Sequence, residues 1–181
     1  VLFLIAARGG SKGVPGKNLR QIEGLSLVGY KARAAQKCSA CKRLIISTDS
    51  AEIQDEAKRL DVEVPFTRPA ELATDTASSE SVVAHAISWI EQNEGRSYEA
   101  VMLLEPASPF ATSDHFAAAI DLYAARQADL VVGMRAAEPA TLFIGEQPDN
   151  GSIAGIVNAM AAAAGRRRQD QNPEWTMNGA L

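Results

Sequence analysis

Residues 1–18 read VLFLIAARGGSKGVPGKN, and this stretch decides the fold class. Its first seven residues are all apolar, which is typical of a β-strand that is covered on both faces. Glycines, lysines and an arginine follow immediately. In open parallel sheets, ligands bind in loops beyond the carboxyl ends of the strands. The stretch therefore predicts an α/β protein whose first loop takes part in a binding site.

Further along the chain, strand and helix patterns alternate. Apolar runs predict four more strands, at residues 43–48, 62–66, 98–104 and 130–134. Helical spacing of apolar residues predicts helices at 25–36, from the N-cap residue Ser50 onwards, at 80–92 and at 114–126. Alternating strands and helices of about a dozen residues predict a three-layer α/β/α fold with a mostly parallel sheet.

In the predicted helix at residues 80–92, four apolar side chains align on one face. They are Val83, Ala84, Ile87 and Ile90. This face is expected to pack against the sheet.

After Met134 the alternation breaks. We predict a short strand at 141–144, an alanine-rich helix at 153–164 and a return to the sheet at 175–181. We interpret residues 1–181 as one domain with an inserted element at about 138–173. The chain has no initiator methionine and stops within a predicted strand, so we expect the native chain to extend beyond both ends.

Composition excludes several classes of protein. The chain has 181 residues, of which 46% are apolar and 22% charged, and a net charge of −4. A nucleic-acid-binding protein would normally be basic, so we expect no nucleic-acid partner. No apolar run reaches the about 18 residues that a membrane span needs, and the apolar start is too short for a signal peptide. We therefore expect a cytoplasmic protein without a membrane partner.

The loop at residues 8–18 combines glycines with positive charge. Glycines let backbone N–H groups approach an anion, and Arg8, Lys12 and Lys17 supply the countercharge. This predicts a triphosphate-binding loop. It matches neither the P-loop, which needs other residues at Ser11 and Asn18, nor the G-x-G-x-x-G motif of dinucleotide-binding proteins. The alternative is a solvated basic loop that only turns the chain.

Polar residues also follow the other predicted strands. Asp49 follows the second strand, Arg68 and Asp75 the third, and Glu105 the fourth. The carboxyl ends of parallel strands share one edge, so these residues are expected to converge on one cleft. Asp49 and Asp75 could each hold a metal or a ribose, or each could be a helix N-cap or turn residue.

The cysteines and histidines give weaker signals. Cys38 and Cys41 form a C-x-x-C pair without a second pair that would complete a zinc site, so we interpret them as reduced residues at a helix end. His85 and His115 lie in predicted helices with no partner at metal-ligand spacing, and we interpret both as structural.

Several stretches, in order along the chain, resemble one family. The chain is similar to the CMP-N-acylneuraminate synthetases (acylneuraminate cytidylyltransferases) in AARGGSKGVPGKNL (6–19), IISTD (45–49), RPAELATDTASS (68–79), LLEPASP (103–109) and RRQD (167–170), followed by NGA (178–180). The first and third of these stretches are the most specific.

This resemblance implies a reaction and an assembly. The family has a Rossmann-like α/β fold and forms homodimers through an inserted element, to which residues 138–173 would correspond. The anomeric hydroxyl of sialic acid attacks the α-phosphorus of CTP, and pyrophosphate leaves. A divalent metal, normally Mg²⁺, neutralises the phosphates.

The resemblance also implies roles for individual residues. Arg8, Lys17 and Arg168 would be catalytic, the first two by binding the triphosphate and stabilising charge on the leaving pyrophosphate. The nucleotide would be bound by Arg8, Ser11, Lys12, Lys17, Asn18, Arg68, Ala77 and Ser79. The sugar would be bound by Glu105, Arg168, Gln169 and Asn178.

The chain departs from the family pattern at three points. Glu105 stands where the family usually has glutamine, and Ala111 where it often has arginine. An ionised Glu105 would repel the sugar carboxylate unless an arginine compensates, so Glu105→Gln is expected to lower the KM for sialic acid. The family's metal-binding aspartates correspond to positions beyond Leu181, so the metal ligands stay unassigned.

Three alternative functions stay open from the sequence. A synthetase for the eight-carbon sugar KDO shares the chemistry and a similar first loop, and other nine-carbon acids such as legionaminic or pseudaminic acid are further substrates. A degenerate, non-catalytic member would bind CTP or an acidic sugar as a sensor. A redox enzyme would rest on fold class and Cys38/Cys41 alone.

Overall fold

The computed structural model describes residues 1–11, 13–136 and 175–177. Its strands are β1 (Leu2–Ala6), β2 (Gln21–Ile22), β3 (Leu25–Ser26), β4 (Arg43–Ser47), β5 (Val101–Leu104), β6 (Met134–Ala136) and β7 (Trp175–Met177). Its α-helices are α1 (Leu27–Gln36), α2 (Ala51–Arg59), α3 (Ser79–Glu94) and α4 (Ser113–Arg126), and two 3₁₀ helices span Lys17–Leu19 and Ala70–Leu72.

These elements fall into two compact units. One unit comprises residues 1–133 and contains β1 to β5 with all four α-helices; the other contains β6 and β7. The predicted insertion at 138–173, the strand at 141–144 and the helix at 153–164 lie outside the described residues.

The main sheet of the first unit is parallel. Its strand order is β4-β1-β5, and Ile5 of the central strand pairs with Ile46 on one side and Leu104 on the other. A central strand has no exposed edge, and helices cover both of its faces. This explains why the first residues of the chain are all apolar, and it confirms the predicted α/β fold with a parallel sheet.

Alternate side chains of β1 enter the two halves of the core. Phe3 and Ile5 pack with residues of α1, α2 and α4, whereas Leu2 and Leu4 pack with α3. The Phe3 ring meets the Phe116 ring of α4 edge-on, with centroids 5.8 Å apart. This alternation follows from the two-residue period of a strand and produces the three layers.

Helices α1, α2 and α3 begin at serine caps. Ser50 starts α2 as predicted, and its Oγ accepts a hydrogen bond from the Ile53 N–H at 3.3 Å. Ser26 caps α1 in the same way, so this helix begins at Leu27 and not at residue 25. The two preceding residues form β3, which pairs with β2 in a short hairpin that the sequence analysis did not predict.

The buried face of α3 differs from the predicted one. Val82, Ala86 and Ile90 are buried, whereas Ala84 is exposed. The apolar residues of α3 form two overlapping stripes. The stripe of residues spaced four apart, Val82, Ala86 and Ile90, is the one that is buried, because it faces Phe66 and the sheet.

Two predicted strands are wrong. Residues 62–66 make one isolated parallel bridge, from Glu63 to Ile45 of β4, and a second isolated bridge joins Thr67 to Thr48. Pro65 lies between these bridges and has no N–H to donate, so a continuous ladder cannot form there.

Residues 130–133 are also not a strand, and Leu130 is 76% exposed. The strand begins only at Met134, where β6 pairs antiparallel with β7. The predicted return of residues 175–181 to the main sheet is therefore wrong for 175–177, which pair with β6 instead; residues 178–181 lie outside the described part.

No helix in the described part of the chain combines the length and the apolar character that a membrane crossing requires.

Candidate functional site

A cavity of about 550 Å³ opens where β1 and β5 end. Its wall includes the first loop, the segment between residues 72 and 82, and the residues that follow β5. The structure thus brings together residues that the sequence predicted for the site: Arg8, Ser11, Lys17, Asn18, Arg68, Ala77, Ser79 and Glu105. The predicted residues Lys12, Arg168, Gln169 and Asn178 lie outside the described residues.

Arg8 lines the cavity and is held by an ion pair. Its Nη2 lies 2.5 Å from Oδ1 of Asp75, and its Nη1 donates to the carbonyl oxygen of Ala73 at 3.3 Å. About a third of each side chain in the Arg8–Asp75 pair is exposed. Such partly exposed pairs contribute about 0–1 kcal/mol. A multiply charged anion can therefore compete with Asp75 for Arg8.

Arg68 forms a fixed part of the wall. Its side chain is buried, and its guanidinium group donates to Oγ of Ser47 at 3.0 Å and to the Ser47 carbonyl oxygen at 2.5 Å. Burial lowers the pKa of Arg68 from its usual value; Asp49 opposes this shift and the positive charge of Arg8 adds to it. The end of β4 thus orients a cation toward the cavity.

Two hydrogen bonds fix the backbone of the first loop. The buried Asn18 donates from Nδ2 to the Arg8 carbonyl oxygen, and the Gly9 N–H donates to Oδ1 of Asp49, both at 2.9 Å. Asp49 itself is exposed and does not line the cavity. Of the alternatives for Asp49, the structure therefore favours a structural role in joining two loops.

Gly9 leaves no room for a side chain. A Cβ atom there would lie 2.8 Å from Cβ of Ser50, which is held in place as the cap of α2, whereas at Gly10 nothing lies within 4 Å. We expect Gly9→Ala to lower the free energy of unfolding by about 1–3 kcal/mol. Gly10→Ala is the matched control and is expected to stay within about 0.5 kcal/mol of the unaltered protein. Urea unfolding measures both, and equal values would contradict the close packing of Gly9 on Ser50.

The two cysteines and two histidines do not line the cavity. Cys38 and Cys41 are free, and burial, followed by the neighbouring Cys38, raises the pKa of Cys41 to about 11. A thiol with so high a pKa is a poor nucleophile or redox group at neutral pH. His115 accepts from the Thr112 N–H at 3.0 Å in the capping box of α4, and the His85 ring packs edge-on against Phe66. Among the described residues, no group of three His, Cys, Asp or Glu side chains is placed to hold a metal.

Lys31 is a residue that the sequence analysis missed. It is fully buried in α1, and its Nζ lies 5.6 Å from the centroid of the Phe116 ring. Burial lowers the pKa of Lys31 to about 8, and Glu105 on the cavity wall acts in the opposite direction. A signal was available, because Lys31 lies three residues after Val28 and four before Ala35, within the apolar stripe of the helix.

Comparison with known proteins finds a matching family model and several named relatives. The family model described as cytidylyltransferase matches residues 2–142. The CMP-N,N'-diacetyllegionaminic acid synthase of Legionella pneumophila is 35% identical over 123 residues, which are 68% of this chain and 53% of that protein. The N-acylneuraminate cytidylyltransferase of Escherichia coli is 36% identical over 123 residues, which are 68% of this chain and 28% of that protein.

A solved structure shares the fold. The CMP:2-keto-3-deoxy-manno-octonic acid synthetase complexed with CTP aligns with a TM-score of 0.61 at 18% identity, over 78% of this chain and 54% of that one. This likeness supports the Rossmann-like architecture and no more. The chain spans about half of the length of the Legionella relative.

Proposed function

Because this chain belongs to the cytidylyltransferase family, we propose that it condenses CTP with an acidic 2-keto sugar, to give a CMP-sugar and pyrophosphate. The sugar is sialic acid or a related nine-carbon acid. The observation that carries this proposal is the cavity at the strand ends, whose wall combines Arg8, Lys17 and Arg68. Its volume of about 550 Å³ lies within the range of about 300–1,000 Å³ that small-molecule sites occupy.

The reaction is a direct displacement. The anomeric hydroxyl oxygen of the sugar forms a bond to the α-phosphorus of CTP, and the bond from that phosphorus to the pyrophosphate oxygen breaks. The hydroxyl proton passes to water. Charge builds on the leaving pyrophosphate, where fixed cations stabilise it most. In this chain Arg8 and Lys17 have that role, and Arg168 is the third proposed catalytic residue.

The remaining wall residues bind the two substrates. Arg68 is already anchored by Ser47 and needs no rearrangement to present its charge. The nucleotide-binding set is completed by Ser11, Lys12, Asn18, Ala77 and Ser79. The sugar-binding set consists of Glu105, Arg168, Gln169 and Asn178.

Mg²⁺ is the proposed metal. Mg²⁺ in nucleotide sites is held mainly by substrate phosphates with one or two carboxylates. Asp75 lines the cavity beside Arg8 and would be such a carboxylate, with the metal held largely by the triphosphate. The metal would neutralise phosphate charge.

The names of the relatives guide the choice of sugar. The relatives above are named for legionaminic acid and N-acylneuraminate, and both are nine-carbon acids. KDO is the alternative, and its support is a likeness of fold at 18% identity. We therefore rank nine-carbon acids first.

A homodimer in the cytoplasm completes the proposal. Strands β6 and β7 form a two-stranded pair, and Trp175 in it is 61% exposed. Two-stranded pairs are marginal on their own and need a covering surface. A second copy of the chain would supply one, and sedimentation velocity would show a dimer; a monomer at high micromolar concentration would contradict this.

The decisive test is pyrophosphate release by the full-length protein from CTP and Mg²⁺. The panel contains N-acetylneuraminic, N,N'-diacetyllegionaminic, pseudaminic and KDO acids. Release with one nine-carbon acid, lost on Lys17→Ala or Arg168→Ala, is the expected result. CTP binding without release for any acid would overturn the proposal and favour a sensor that binds CTP.

A further inference from the structure

The peptide unit between Arg8 and Gly9 is held at both of its polar atoms. Its carbonyl oxygen accepts a hydrogen bond from Nδ2 of Asn18, and its N–H group donates to Oδ1 of Asp49, both at 2.9 Å. In a trans peptide the two groups point in opposite directions, so a rotation of this unit would break both bonds. The direction in which the chain leaves β1 is therefore fixed from two sides.

The bond from Gly9 to Asp49 continues the pairing of β1 with β4. The Ala7 N–H donates to the Ser47 carbonyl oxygen at 3.1 Å. In a parallel ladder every second N–H faces the same neighbouring strand, so the next acceptor on β4 would be the carbonyl oxygen of Asp49. The Gly9 N–H instead meets the Asp49 carboxylate. This carboxylate thus keeps the register of the two segments at the point where regular pairing ends and the first loop begins.

The same end of β4 also holds the second arginine of the cavity wall. Ser47 accepts hydrogen bonds from the buried Arg68 at Oγ and at its carbonyl oxygen, at 3.0 and 2.5 Å. Arg8 and Arg68 both line the cavity. Two residues at the end of β4, Ser47 and Asp49, therefore set where two cations of the wall lie relative to each other.

We propose that Asp49 is a positioning residue for Arg8. By accepting the hydrogen bond from Gly9, its carboxylate fixes the backbone that carries the Arg8 side chain into the cavity. Asp49 is exposed and does not line the cavity, so this role requires no contact with substrate. The inference rests on the proposed function and adds to it a residue that acts through another.

The composition of the loop explains why such a support matters. Glycine has the widest backbone freedom of all residues, and Gly9 and Gly10 follow Arg8 directly. A cation stabilises a leaving pyrophosphate most when it is already in place, and a misplacement of about 1 Å can cost about 10²-fold in rate. Without Asp49, water would satisfy the exposed Gly9 N–H, but it would not fix the direction of this group.

Substitutions at Asp49 in the full-length protein test the proposal. Pyrophosphate release is measured with CTP, Mg²⁺ and the sugar acid that supports it. We expect Asp49→Ala to lower kcat by about 10–100-fold. Asp49→Asn keeps a carbonyl oxygen at the same place and is expected to restore kcat to within about threefold of the unaltered protein.

The matched control is Asp55→Ala. This exposed carboxylate of α2 pairs with Lys58 and does not line the cavity. We expect its removal to leave kcat within about twofold of the unaltered protein, as for other surface changes.

A double-mutant cycle with Arg8 separates positioning from a general effect on the loop. In the protein that carries Arg8→Ala, Asp49→Ala is expected to lower kcat by less than about threefold, since the side chain that it positions is gone. Equal losses from Asp49→Ala with and without Arg8 would overturn the proposal. So would a loss in Asp49→Asn as large as that in Asp49→Ala, because the charge and not the hydrogen bond would then matter.

Binding of inorganic triphosphate keeps this inference apart from the proposed function. Calorimetry on the same proteins is expected to show binding weakened about fivefold by Asp49→Ala and less than about twofold by Asp49→Asn. This pattern in a chain that turns over no sugar acid would overturn the proposed function and leave the positioning role intact. Turnover of a sugar acid with kcat and triphosphate binding unchanged by Asp49→Ala would overturn the positioning role alone. No triphosphate binding by the unaltered protein would overturn both.

Discussion

Arg8→Ala is expected to lower kcat for pyrophosphate release by about 10²–10³-fold, the usual loss when one fixed donor to a developing anion is removed. Arg8 lines the cavity, and its guanidinium group donates hydrogen bonds to Asp75 and to the Ala73 carbonyl oxygen. Its removal also leaves the Asp75 carboxylate without this cation beside the incoming triphosphate. Stopped assays at saturating CTP and sugar measure the effect on kcat directly.

The matched control for Arg8→Ala is Arg20→Ala. Arg20 belongs to the same part of the chain, is exposed, donates to the Pro15 carbonyl oxygen at 3.3 Å and does not line the cavity. We expect its kcat to stay within about twofold of the unaltered protein, as for surface changes away from a site. Equal losses in the two variants would mean that general charge, and not the placement of Arg8, supports the reaction. A loss confined to KM would assign Arg8 to ground-state binding.

Phe3→Ala is expected to lower the free energy of unfolding by about 3–5 kcal/mol. Phe3 is fully buried in the central strand β1, and its ring packs edge-on on Phe116 of α4. Truncation removes a large apolar surface and leaves a void between sheet and helix, which close-packed neighbours fill only in part. The free energy of unfolding of a single domain is about 5–15 kcal/mol, so this loss is a large fraction of it.

Urea unfolding with linear extrapolation measures this loss. Phe110→Ala is the control, because Phe110 is 72% exposed and is the same residue type in the same unit. We expect it to cost less than about 1 kcal/mol. A similar cost for both substitutions would contradict the assignment of β1 as the centre of the core.

The part of the candidate site that the sequence predicted is the first loop, where a glycine- and lysine-rich motif directly follows a strand. The first loop follows a strand, and its glycines and basic residues stand at fixed spacing, so its position at the strand end follows from chain direction. Resemblance then selected Arg68, Ala77 and Ser79, and the structure places these side chains on the same cavity wall. Their roles toward CTP stay predictions.

The sequence by itself determined the local elements: the buried strand at the start, the helix that begins after Ser50, and the glycine loop between them. These depend on neighbours within a few residues, through apolar period, capping and backbone freedom. Tertiary structure decided whatever depends on residues far apart in the chain. It placed Asp75 on Arg8, buried Lys31 in the core, reduced residues 62–67 to isolated bridges and paired β6 with β7. Strand partners and buried charges depend on contacts between residues far apart in the chain. A local sequence pattern does not contain these contacts, because they form only when the whole sheet and its helices assemble.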